Sequence, residues 1–118
     1  MDDNKFQIFV KKCIDILKKS YPKFNWEYNT RYYYKNIRVT NFGGKEVVFI
    51  ELYPNVSKFI ICYSNVLTCP KGTYPTVIRK EYSMDISDNE LNIKLKNIFS
   101  LAIPTMEAKI KEISKIFQ

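Results

Sequence analysis

Histidine is absent from this chain, and that absence excludes more chemistry than any residue present implies. With it go the side chain best matched to proton transfer near neutral pH, the Ser-His-Asp and Cys-His nucleophile systems, and most zinc ligand sets. Glycine occurs three times in 118 residues, too seldom to build a glycine-rich phosphate loop. Three cysteines, Cys13, Cys62 and Cys69, cannot all pair with one another, and their spacing makes no metal knuckle. The longest unbroken apolar runs, 47–50 and 59–63, fall far short of the roughly 20 residues that a membrane span needs. Residues 1–5 are acidic and lead into an amphipathic pattern, with neither the basic start nor the apolar stretch of an export signal. A reducing cytoplasm, in a bacterial or phage-infected cell, is therefore the expected setting. Alanine appears only at 102 and 108, and lysine outnumbers arginine sixteen to three, a balance that AT-rich bacterial, phage or viral genes produce.

What is present is a concentration of positive charge. Residues 11–45 hold nine basic and two acidic side chains, and the difference equals the net charge of the whole chain, +7. Everywhere else bases and acids cancel. The same stretch carries Tyr21, Phe24, Trp26, Tyr28, Tyr32, Tyr33, Tyr34 and Phe42. Clustered cations with interleaved rings suit an anionic polymer or an acidic partner. The candidate binding residues are Lys11, Lys12, Lys18, Lys19, Lys23, Arg31, Tyr32, Tyr34, Lys35, Arg38 and Lys45. On a strand, Tyr32, Tyr34 and Arg38 point one way while Arg31, Tyr33, Lys35 and Ile37 point the other, so each face offers a ring beside a cation. Rings on a sheet surface can stack bases, and tyrosine with arginine also anchors protein interfaces. The plainer alternatives are a solvated helix face for the lysines and core packing or a cross-strand ladder for the tyrosines.

A length of 118 residues and a hydrophobic fraction of 46% fit one globular domain over residues 1–118. Apolar residues at Phe6, Phe9, Val10, Cys13, Ile14, Ile16 and Leu17 repeat with helical period, and Asp2, Asp3 or Asn4 can cap that helix. Tyr21-Pro22 stops it. Residues 26–34 and 35–40 form one long strand or two short ones. Asn41-Phe42-Gly43-Gly44 signals a turn. Residues 46–53 read as a central strand, 58–64 as the next, and 76–83 as a half-exposed edge strand. Ser87-Asp88-Asn89-Glu90 is a capping box for a last helix, whose apolar face continues across Pro104 and predicts one long helix kinked there. The expected fold is thus α+β, a two-layer sandwich. An N-terminal helix, a four-to-five-stranded antiparallel meander and a C-terminal helix follow in order, with both helices on one sheet face. This element order resembles the frataxin-type sandwich. The likeness carries no motif, and a lysine-rich first helix departs from the acidic first helix of that family, so no function follows from it.

Catalytic chemistry has few candidates. Asp85, Asp88 and Glu90 cluster, but capping and the helix dipole account for them, so no metal site is expected. Cys69 beside Lys71 has the setting of an activated thiol, although an unreactive loop cysteine is commoner. No catalytic residue and no cofactor are expected. The leading expectation is a small non-catalytic basic module that contacts nucleic acid or an acidic protein that handles nucleic acid. Its rival is a phage or mobile-element inhibitor, an anti-defence or immunity protein acting through protein contacts, with a metal-dependent nuclease a distant third.

Overall fold

In the computed structural model the described backbone covers residues 1–30, 35–39, 47–65 and 69–116; within the last helix, the side chains at 98, 101, 105, 109, 110 and 112–116 are left aside. Helix α1 spans Asp3–Ser20. Asp2 is its N-cap, accepting from the Lys5 amide at 2.8 Å, which satisfies a backbone N–H that no helical carbonyl can reach. At the far end the Tyr21 amide closes the last turn onto the Leu17 carbonyl, and the backbone turns away before Pro22. Lys18 and Lys19 fall on that last turn, where positive charge offsets the helix dipole.

Five strands follow: β1 Trp26–Asn29, β2 Lys35–Val39, β3 Val48–Tyr53, β4 Lys58–Ser64 and β5 Val77–Ser83. They form one antiparallel sheet in sequence order, β1-β2-β3-β4-β5. The 26–40 stretch is therefore two strands, not one. Its register pairs Tyr28 with Ile37, then Ile37 with Ile50 and Ile50 with Ile61. The near-continuous apolar strand lies at the centre of the sheet, with Val48 to Leu52 all buried. Helix α2, Asp88–Ile116, completes the fold and includes Pro104. Ser87 accepts from the Glu90 amide at 3.2 Å, the first half of the expected capping box.

The core draws on alternate strand residues. Trp26, Ile37, Val39, Val48, Ile50, Leu52, Phe59 and Ile61 share one parity of the sheet. They form one cluster with Phe6, Phe9, Val10, Cys13 and Leu17 of α1 and Leu91, Leu95, Phe99, Ala102 and Met106 of α2. Trp26 of β1 stacks on Phe99 of α2 at 5.3 Å between ring centroids, and Phe9 of α1 meets Phe59 of β4 at 5.0 Å. Each such ring contributes about 1.5–3 kcal/mol through removal from water. Two helices with apolar stripes thus bury them against a single set of strand side chains, an α+β sandwich.

Cys13 sits in this cluster with no exposed surface. Burial pushes its thiol from 9.0 to about 12, and the neighbouring Lys12 charge opposes this only in part. A folded-state value above the unfolded one gives stability that is complete below pH 9.0 and is lost as pH climbs toward about 12. Burial also raises Tyr21 and Tyr28, with the same sign. We expect the unfolding midpoint in urea to fall as pH passes 9, with a slope of up to about 1.4 kcal/mol per pH unit from the thiol. Cys13→Ala should flatten that alkaline slope; an unchanged slope in the variant would exclude the thiol as its source.

Candidate functional site

The lysines of α1 occupy one arc. Residues seven apart are nearly superposed on a helix, so Lys11 lies over Lys18 and Lys12 over Lys19, and the four fall within about 120° with Asp15 between them. All four are exposed, and so is Lys23 in the turn that follows. The arc is not uniformly free. Lys11 donates to Asp15 at 3.2 Å along the helix, and Lys12 meets Asp88 at the start of α2 at 2.9 Å. Lys18, Lys19 and Lys23 have no carboxylate within ion-pair distance among the described residues. The positive end of this surface is therefore the last turn of α1 and the segment after it. An open groove of about 510 Å³ lies there, lined by Lys18, Pro22, Phe24, Asn25, Trp26 and Glu27.

Two other predicted residues, Lys35 and Arg38, do not join that end. Lys35 lies on the helix-facing side of β2, where its ammonium stands over the Phe6 ring at 4.8 Å. Arg38, three residues on, points to the opposite face and pairs with Glu27 of β1 at 3.3 Å. Alternation along the strand separates them, so these two cations cannot serve one flat surface. Arg31, Tyr32, Tyr34 and Lys45 lie outside the described residues. The rings also differ from a pattern of exposed aromatics. Phe24 and Trp26 are buried in the core, and Tyr21 and Tyr28 pack against it. The Trp26 indole N–H donates to the Tyr21 carbonyl at 3.3 Å, which uses its polar group internally.

On the sheet face away from the helices, the structure adds a cluster that the sequence did not reveal. Glu51 of β3, 8% exposed, accepts both guanidinium nitrogens of Arg79 of β5, at 2.6 and 2.5 Å, and the Tyr53 hydroxyl at 2.8 Å. Arg79 faces Cys62 in register, so its side chain must cross β4 to reach Glu51. These bonds raise the Arg79 pKa further above its ordinary range, and burial and the Glu51 bond raise the Tyr53 hydroxyl. A lone carboxylate in the apolar run 47–53 was the available clue, since a buried acid demands a cation. Which cation depended on a register across two hairpins. Asn36, on the same face, is buried with its Oδ1 unpartnered among the described residues.

Among the described residues no group of three or more potential ligands could hold a metal ion, and no helix is long and apolar enough to cross a membrane. Asp88, one of the acids of the 85–90 segment, pairs with Lys12. Comparison with protein-family models, with curated proteins and with solved structures finds no match to this chain.

Proposed function

We propose that this protein is a non-catalytic binding module that takes a nucleic-acid backbone along the outer arc of α1 and the turn after it. The observation that supports this reading best is the run of Lys18, Lys19 and Lys23, exposed and without an acidic partner among the described residues, beside an open groove. Lys11 and Lys12 extend the run along the helix, and their ion pairs are exposed, hence weak and readily exchanged for a phosphate. Because Phe24 and Trp26 are core residues, this end offers lysines rather than open rings. It favours phosphate over base, and so contact that is insensitive to sequence.

Fluorescence polarisation with single- and double-stranded DNA and RNA, at two salt concentrations, tests the proposal. With about five phosphate contacts, a fourfold rise in salt lowers affinity on the order of a hundredfold. Charge reversal at Lys18, Lys19 and Lys23 together should weaken binding about tenfold or more, whereas Lys58→Ala, remote and paired with Glu81, should leave it unchanged. Absence of binding to all four polymers at low salt sinks the proposal. Binding that the Lys58 variant impairs as much as the triple reversal would do so too, because general charge would then explain it.

A further inference from the structure

The turn after α1 has no open ring of its own, but one stands elsewhere on the molecule. Tyr74 keeps 96% of its surface, more than any other large hydrophobic side chain described. It lies in the connection between β4 and β5, which specific bonds hold in shape. Asn65 closes the base of that loop. Its amide donates to the Thr76 carbonyl at 3.1 Å, its Oδ1 accepts from the Thr76 amide at 2.7 Å, and its carbonyl accepts from the Cys69 amide at 2.9 Å. Nearer the tip, the Thr73 amide donates to the Pro70 carbonyl at 3.2 Å across Lys71 and Gly72. Gly72 has φ +83°, the third-position geometry of a type II turn, which a side chain there would strain. Pro75 then biases Tyr74 toward extended backbone. The ring is thus held out on a pre-shaped loop. Lys71, at the second position of the turn, is exposed and has no carboxylate within ion-pair distance among the described residues.

The sheet register sets this loop at the same end of the fold as the unpaired lysines. Trp26 pairs with Val39, Arg38 with Phe49, Val48 with Tyr63 and Ser64 with Val77. The start of β1, the end of β4 and the start of β5 therefore share one end of the sheet. Lys18 lines a groove with Phe24 and Trp26, and the Trp26 indole bonds to Tyr21, so the last turn of α1 lies at that end too. From β1 to β5 is four strand spacings, about 19 Å, a gap that a few nucleotides of extended strand bridge. We infer, resting on the reading of the α1 arc as a phosphate-binding surface, that the nucleic acid bound at this end is single-stranded and that one of its unpaired bases stacks on Tyr74, with Lys71 on an adjoining phosphate. A base inside a duplex has both faces covered by its neighbours, whereas an unpaired base has a face to give to a ring. Covering so exposed a ring removes apolar surface from water, and a pre-shaped loop loses little freedom in the process. Stacking accepts any base, in keeping with phosphate contacts that carry no sequence.

Fluorescence polarisation with labelled DNA and RNA oligonucleotides of one sequence, each free or annealed to its complement, tests this across a salt series. Lysines alone prefer the duplex, which has the higher charge density. The wild-type protein should instead bind the single strands more tightly. Tyr74→Ala should weaken single-strand binding about tenfold and leave duplex binding unchanged, while Tyr74→Phe, which keeps the ring, should behave as wild type. Lys71→Ala should lower the single-strand salt slope by about one. So exposed a tyrosine contributes little to the fold, and an unchanged urea midpoint in Tyr74→Ala checks this. Single-strand binding that Tyr74→Ala leaves intact, but that charge reversal at Lys18, Lys19 and Lys23 abolishes, overturns this inference and spares the phosphate reading. A wild-type protein that prefers the duplex does the same. Absence of binding to all of the oligonucleotides removes both.

Discussion

Phe59→Ala should remove about 3–5 kcal/mol of unfolding free energy, a large share of the roughly 5–15 kcal/mol that holds a domain of this kind together. Phe59 has no exposed surface. It stands in β4 opposite Leu52 and Tyr82, and its ring meets Phe9 of α1 and Tyr82 at centroid distances of 5.0 and 5.6 Å. Truncation leaves a cavity bounded by a helix and three strands, which cannot collapse together without breaking sheet register. The lost transfer energy and the cavity cost therefore add. Ile78→Ala, on the same sheet face but at the open edge, should change stability by no more than about 0.5 kcal/mol. Urea denaturation of both variants gives the comparison. Equal losses would mean that the core does not lie where Phe59 is buried.

The second large effect belongs to Glu51 and Arg79. Arg79→Ala leaves a buried carboxylate with the Tyr53 hydroxyl as its remaining described partner. Removing one member of a fully buried pair costs several kcal/mol; with the guanidinium half exposed, we expect about 2 kcal/mol here. Replacing both residues by leucine should restore most of that stability, since no desolvated charge remains and the apolar stems still cover β4. A double-mutant cycle by urea denaturation should return a coupling of about 1–2 kcal/mol. A coupling near zero would mark the pair as an incidental surface contact, despite its bidentate geometry.

The contrast between these two sites shows how much the sequence could disclose. The helices were legible from periodicity, and their ends from the 2–4 capping residues (of which Asp2 is the cap), Ser87 and Tyr21-Pro22, because capping and proline act within a few residues. The meander was legible from successive runs of branched and aromatic residues, and the edge position of β5 from its charged alternation; the turn expected at 41–44 lies outside the described residues. The opposed directions of Lys35 and Arg38 followed from their spacing alone. The stacking of Trp26 on Phe99 and the reach of Arg79 across β4 to Glu51 were not legible, since each depends on how separate elements come to rest side by side. The basic segment shows the same division. Its charge could be counted in the sequence, but the withdrawal of Trp26 and Phe24 into the core could not, because large rings serve a binding face and an interior equally well.

Every strand of the sheet pairs with its neighbour along the chain, so assembly never requires a distant segment to thread between two others. Each hairpin closes a small loop and offers the next strand a ready edge, the arrangement that costs least in chain entropy before contacts form. The long-range closures are those that bring α1 and α2 together over the sheet. Contacts such as Lys12 with Asp88 and Tyr21 with Lys96, the latter 75 residues apart, close the longest loops and so cost the most in chain entropy.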